Sequence, residues 1–288
     1  ALTYSIIFGA MFGDAGQGLC LAVGGFLLYR FKKLNLAAII SCCGIFSTIF
    51  GFLYGSVFGF EDVIPALWLR PTEAMTTLPF IGRLNTVFVV TIAIGMGLIL
   101  LTMIFSIVNA FKSKEYGKAL FDTNGVAGLV FYGAVVLVVV LFMTGNHLPA
   151  AAALVILFVV PLLVIACKEP LTRLLEKKKA NLEEGPVMFV VQSFFELFEV
   201  CLSYFSNTLS FVRIGAFAVS HAAMMGVVLM LAGAENGGTG NLLVIILGNI
   251  IVCGMEGLVV GIQVLRLEYY EFFSRFYKGD GREFKPYM

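Results

Sequence analysis

Charge is what this sequence has least of. Only 13% of its 288 residues are Asp, Glu, Lys or Arg, about half the ~25% usual in soluble domains. The 19 basic and 18 acidic residues nearly cancel, to a formal net charge of +1. Because they are clustered, that sum says nothing about partners. Metal and redox spacing is missing as well. Cys20, Cys42, Cys43, Cys167, Cys201 and Cys253 include no CxxC pair, and five of the six lie well inside apolar runs. They read as small apolar membrane residues, not as metal ligands or disulfides. A basic leader is absent too: Ala1 opens straight into apolar sequence that runs too far for a signal peptide. The expectation is the membrane part of a longer protein. No internal repeat is legible, since the interrupted segments do not recur in two halves as in inverted-repeat transporters.

What is abundant is apolar surface. Hydrophobic residues make up 60% of the chain before its 31 glycines are counted, and the mean hydropathy is +0.97. Soluble domains reach only about 45–50% with glycine included. The bulk of this chain must therefore face lipid or other membrane helices. That excludes a nucleic-acid binder, a secreted disulfide scaffold and a soluble enzyme.

A membrane span needs about 20 apolar residues. Clear candidates are 35–59, 85–111, 122–144, 148–167 and 240–267. Residues 2–29 carry Gly13-Asp14-Ala15-Gly16-Gln17-Gly18 in their middle. Glycine accepts turn dihedrals and Asp bonds freed backbone groups, so this cluster predicts a break between two short legs, a hairpin buried in protein. Residues 187–233 would make a helix of about 70 Å, over twice a bilayer core.

Basic residues set the topology, because cytoplasmic loops collect Lys and Arg. Arg30, Lys32 and Lys33 form one basic segment, and Lys112, Lys114 and Lys118 a second. Lys168, Arg173, Lys177, Lys178 and Lys179 form a third, and Arg275, Lys278, Arg282 and Lys285 lie in the tail. The connections at 61–84, 145–147 and 234–239 are poor in them and alternate with the basic set. All four basic segments are read as cytoplasmic, the C-terminus included. Residues 187–233 then cross once, as a strongly tilted helix or one reaching into the cytoplasm. The expected fold is an all-α membrane protein of about eight transmembrane segments, with a short N-terminal hairpin and two long tilted C-terminal helices. Its division is supporting helices over 1–186, two ion-channel helices over 187–276, and a cytoplasmic tail over 277–288.

The polar residues inside the membrane carry the functional signal. From Gln192, the series Glu196, Glu199, Ser203, Ser206, Ser210, Arg213 and Ser220 follows a helix face with a period of about 3.5. The last helix repeats the theme with Asn249, Glu256, Gln263 and Arg266. Taken singly, the serines suit bonds within their helix, His221 suits packing, and Glu256 with Arg266 suits an internal ion pair. Arg213 resists such a reading. A mid-span arginine costs at least about 2.5–3.5 kcal/mol and does not deprotonate. No intramembrane carboxylate on its own helix is placed to neutralise it. Its counter-charge comes from another helix or another subunit, and a carboxylate passing it would be held ionised.

These residues resemble a known family. The run Ser210-Phe-Val-Arg213-Ile-Gly-Ala-Phe-Ala-Val-Ser220-His221-Ala is similar to the signature helix of subunit a, called subunit I in prokaryotes, of the V/A-type rotary ATPases. Met255-Glu256-Gly257, Leu265-Arg266-Leu267-Glu268, Glu271-Phe272 and Phe276 to Gly281 resemble its last helix and tail, and Met11 to Gly18 its first hairpin. The resemblance spans essentially the whole chain. It implies a membrane domain, the C-terminal one, wrapping one side of a rotor c-ring whose proteolipid subunits bear a membrane carboxylate. It implies two aqueous half-channels for H+ or Na+, with Arg213 and Arg266 facing the ring. Glu256 and His221 carry over as half-channel residues. Gln263, Asn249, Ser210, Ser206, Ser203, Glu199 and Glu196 line the two polar stripes, and Gln17 is given no role. The further partners implied are a peripheral stalk and an N-terminal stator domain. The setting is a prokaryotic plasma membrane, and neither a cofactor, a metal nor a catalytic residue is expected. The alternatives are a secondary transporter with Arg213 as an anion site, and a membrane scaffold without transport.

Overall fold

A computed structural model describes residues 2–61, 63–78, 82–144, 151–168, 171–172, 186–234, 240–277 and 279. The chain is essentially all-α, as expected. The described helices are α1 Leu2–Met11, α2 Ala15–Lys32, α3 Asn35–Tyr54, α4 Thr86–Lys112, α5 Tyr116–Phe121, α6 Val126–Met143, α7 Ala151–Ala166, α8 Pro186–Ser210, α9 Val212–Ala232 and α10 Leu242–Leu267. A two-stranded antiparallel hairpin, β1 Met75–Leu78 and β2 Gly82–Asn85, lies in the connection before α4. Among the described residues, five helical stretches are long and apolar enough to cross a membrane: Asn35–Tyr54, Thr86–Lys112, Tyr116–Met143, Met188–Ala232 and Leu242–Arg275. Leu2–Met11 and Ala153–Ala166 are shorter apolar helices. The protein is a membrane protein. Most of the third basic segment (173–179) and the tail residues Lys278, Arg282 and Lys285 lie outside the described residues.

The chain forms two compact units. The first comprises 1–95 and 209–268, the second 96–208 and 269–288.

In the first unit, the break at the glycine cluster is present. Helix α1 stops at Met11, and Asp14 caps α2 in an extended conformation, its side chain accepting from Gln17 N. The two legs run in opposite directions along α3. Ser5 meets Cys43 and Gly9 meets Phe46, so α1 is parallel to α3. Gly18 meets Ser47 and Thr48 while Gly25 meets Ser41, so α2 is antiparallel to it. Glycine permits this close approach: a Cβ on Gly51 would stand 2.0 Å from Ala15 N, and one on Gly44 2.3 Å from Ala22 N. Helices α9 and α10 form an antiparallel pair joined after Gly233, which takes the left-handed C-cap (φ 69°). Met225, Val228 and Val252 make its small apolar core.

In the second unit, aromatic side chains hold the helices together. Phe131 packs edge-on against Phe158, and Tyr132 and Tyr204 lie with ring centres 5.5 Å apart. The Tyr132 and Thr208 hydroxyls share a 2.8 Å hydrogen bond. Tyr204 Oη donates to the Thr123 carbonyl.

The long stretch 187–233 is not one uninterrupted helix. Phe211 separates α8 from α9. Its side chain is buried and seated against Gly95, where a Cβ would lie 2.5 Å from that of Phe211. Beyond α10 the helix widens into a π segment, Glu268–Phe272, and then tightens into a 3₁₀ turn, Phe273–Arg275.

Candidate functional site: a buried polar pair and two cavities

The first unit buries a titratable pair. His221 on α9 and Glu256 on α10 are joined by a 2.7 Å hydrogen bond between Nδ1 and Oε2. Both side chains are almost wholly buried. Their other polar atoms, His221 Nε2 and Glu256 Oε1, are buried and have no hydrogen-bond partner among the described residues. The ring of Phe12, from the hairpin break, lies 4.6 Å from that of His221. The helix register that creates the pair also sets Met225 against Val252 and Val228 against Gly248.

Seven residues before Glu256, and so on the same face of α10, Asn249 is buried. Its Nδ2 donates to Ile245 O at 2.9 Å, and its Oδ1 accepts from Gln17 Nε2 at 2.8 Å. Gln17 and Asn249 line a cavity of about 640 Å³, otherwise walled by Cys20, Cys253, Gly254 and apolar residues such as Phe58, Phe60 and Ile250. Gln263 is half-buried and Arg266 exposed on the same helix.

Arg213 lies in the first turn of α9. It is half-buried, and its Nη1 is buried without a hydrogen-bond partner among the described residues. An unpaired buried donor on a charged group is expensive. On the same face of α9, Ala216, Ser220 and Ala223 are exposed.

The Asp14 carboxylate has a structural task. It accepts four hydrogen bonds: from Gln17 N at 2.9 Å, Ser56 Oγ at 2.9 Å, Phe58 N at 3.0 Å and Gly59 N at 2.9 Å. It thereby caps α2 and ties down the 56–59 loop, in which Phe58 and Gly59 both have positive φ.

The second unit holds a polar cavity of about 420 Å³. Glu196, Glu199 and Ser203 line it, with Thr123, Asn124, Lys168, Tyr204, Asn207, Ser274 and Arg275. Lys168 forms a salt bridge with Glu196. Arg275 Nη1 donates to Asn124 Oδ1 at 3.2 Å, and its guanidinium lies 5.8 Å from the centre of the Tyr204 ring. Ser206 is exposed and Ser210 half-buried. Neither lines this cavity.

The geometry thus joins His221 to Glu256, places Asn249 on one cavity and groups Glu196, Glu199 and Ser203 on another. Gln17, Asn124, Tyr204 and Arg275 were missed as site residues. Arg275 read only as a topological charge, and the contacts of Gln17 and Asn124 span over 100 positions of sequence, where no periodicity signals them.

Comparison with known proteins points one way. Residues 168–288 match the V-type ATPase 116 kDa subunit family. Subunit I of the A-type ATP synthase of Aeropyrum pernix is 28% identical over an alignment covering 99% of this chain and 46% of the relative. That of Pyrococcus horikoshii is 25% identical, covering 100% of this chain and 42% of the relative. The human V-type proton ATPase 116 kDa subunit a 4 is 33% identical over a stretch covering 31% of this chain and 12% of its own length. The chain spans less than half the length of these relatives. Its helices α9 and α10, with Arg213, His221, Glu256 and Arg266, fall within the match to the V-type ATPase 116 kDa subunit family, and over nearly its whole length the chain is similar to subunit I of A-type ATP synthases.

Proposed function

We propose that this chain is the ion-conducting stator of a rotary ATPase, carrying two half-channels for H+ or Na+ and facing a ring of carboxylate-bearing proteolipid subunits. The observation that carries the proposal is the pairing, on adjacent helices of one unit, of a buried His221–Glu256 bond with a buried Arg213 Nη1 that has no hydrogen-bond partner among the described residues. If the antiparallel register continues two turns from that pair, Arg213 would stand level with Val264, beside Gln263 and within a turn of Arg266.

The chemistry follows from charge. Arg213 stays positive and draws in a ring carboxylate, which is held ionised as it passes and must release its ion. The carboxylate is reloaded on one side of the arginine and emptied on the other. The exposed Ala216, Ser220 and Ala223 leave room for a ring helix to approach closely. Access requires two routes. By the distribution of basic residues, Asn249 lies toward the outer end of α10, and the cavity it lines is assigned to the outer route. Glu196 and Glu199 follow the basic segment and are assigned, with Ser203, to the cytoplasmic route. Glu256 and His221 form the inner end of the outer route. A peripheral stalk and an N-terminal stator domain hold this chain against the torque of the ring. The setting is a prokaryotic plasma membrane with the C-terminus in the cytoplasm.

Cysteine cross-linking tests the reading. Cysteines at Ala216 and Ser220, each paired with one beside the ring carboxylate, should form disulfides in the assembled complex under mild oxidation. No cross-link from either position, in a complex shown to contain the ring, would contradict it.

A further inference from the structure

The second unit holds a further polar cavity, of about 530 Å³. It is bounded by the end of α4, by α5 and by the chain leaving the 3₁₀ turn. Lys112, Lys118 and Arg275 line it, and Asp122 is the one carboxylate among its described lining residues. Cations therefore outnumber anions there. Lys112 is exposed and has no ion-pair partner among the described residues. Lys118 meets Glu115 at 3.2 Å, but both side chains are well exposed, and such a pair is worth little. Arg275 is more enclosed. Its Nη1 is given to Asn124, and its buried Nε has no partner among the described residues.

The C-terminus of a helix presents free carbonyls, which repel an anion. At α4 they are covered. Asn109 O accepts from Ser113 N at 2.9 Å, and Phe111 O and Ala110 O accept from Lys114 N and Glu115 N, each at 3.1 Å. Lys114 takes a left-handed conformation in this turn (φ 59°). The Phe276 carbonyl accepts from Asn109 Nδ2 at 3.2 Å. These four carbonyls already hold donors, so the side-chain cations decide the sign of the cavity.

An apolar track leads to the same place. Leu101, Phe105, Val108 and Lys112 succeed one another at helical spacing and share a face of α4. The first three are 41%, 43% and 50% exposed. Phe105 also packs edge-on against Phe276, a wall of the cavity, with ring centres 5.7 Å apart. A free anion gains nothing from such a track. A phospholipid does, with an acyl chain along Leu101, Phe105 and Val108 and its phosphate at Lys112. Basic pockets between membrane helices are known seats of anionic headgroups. Snorkelling alone would carry the two lysines to the interface, but it would not join them to Arg275 around a cavity.

We propose that this cavity binds the phosphate headgroup of an anionic phospholipid. Lys112, Lys118 and Arg275 supply its charge, and the exposed face of α4 seats an acyl chain. The site is independent of the stator reading.

Brominated lipids, which quench a tryptophan they touch, provide the test. The chain has one tryptophan, Trp68. On a Trp68→Phe background, Val108→Trp places a reporter on the track. The full chain is placed in nanodiscs of phosphatidylcholine with a small share of phosphatidylglycerol, and bromine is carried by one lipid or the other. Phosphatidylglycerol should be preferred at the reporter by about fivefold, the equivalent of one well-placed basic residue at a membrane surface. Lys112→Gln with Lys118→Gln should abolish the preference. Arg30→Gln with Lys32→Gln removes the same charge from two exposed residues at the end of α2 and should leave the preference intact. Equal quenching by the two lipids in the parent overturns the proposal. So does an equal loss in the two double variants, which would mark a diffuse attraction with no site. Excess inorganic phosphate at constant ionic strength should leave the preference in place; its loss would assign the cavity to the free anion and overturn the lipid.

Discussion

His221 Nδ1 stands 2.7 Å from Glu256 Oε2, with the two side chains only 3% and 2% exposed. Removing one member of such a pair strands the other in a low-dielectric interior, at about 3–5 kcal/mol. His221→Ala and Glu256→Leu should each lower the thermal melting point of the detergent-purified protein. The double variant should be far less destabilised than the two losses combined, since the second substitution removes the stranded partner. Glu256→Gln keeps a hydrogen-bonding group of the same shape and should be milder than either. Additive losses would show that the contact contributes no coupling.

Asp14 should be among the residues least tolerant of truncation. Asp14→Ala removes a helix cap, worth about 0.5–2 kcal/mol, and also leaves the donors of Ser56, Phe58 and Gly59 without their acceptor. The expected result is faster proteolysis in the 56–60 loop and a lowered melting point. A variant that melts like the parent would contradict this role.

The seam between α2 and α3 separates two kinds of glycine. Gly51→Ala should disrupt folding, because the new Cβ would sit 2.0 Å from the backbone nitrogen of Ala15. Gly24→Ala, with open space around it, should be neutral or slightly stabilising on helix propensity, by up to about 1 kcal/mol. Melting points of the two variants decide it; equal effects would refute the packing.

Topology is open to labelling. On a background lacking the native cysteines, single cysteines at Lys33 and Lys114 should resist an impermeant thiol reagent in intact cells and react after permeabilisation. Labelling at either from outside would reverse the sidedness.

Much of this was legible in the sequence, for physical reasons. The break between α1 and α2 was readable because Gly13 and Asp14 both favour non-helical backbone. The Asn249–Glu256 face was readable because a polar residue every seven positions in an apolar helix leaves few alternatives. Other features were silent. Phe211 ends α8 without a Pro or Gly of its own, and the packing that accompanies it lies at Gly95, far away in sequence. Gln17 stood inside a recognised motif yet carried no sign of its bond to Asn249. The grouping of Arg275 with Asn124 and Tyr204 likewise depends on tertiary packing that helical periodicity does not encode.

Arg213 offers the most direct test. On the proposed stator function, a neutral residue there would remove the counter-charge for the ring carboxylate. The measurement is ATP-driven ion uptake by the assembled complex in vesicles, with ring content and assembly checked separately. Arg213→Ala should assemble and show no coupled uptake, and Arg213→Lys should fail or nearly so, since it loses the planar fork and loses its charge more readily when desolvated. An Arg213→Ala complex that assembles and pumps at near the parental rate would contradict the stator function.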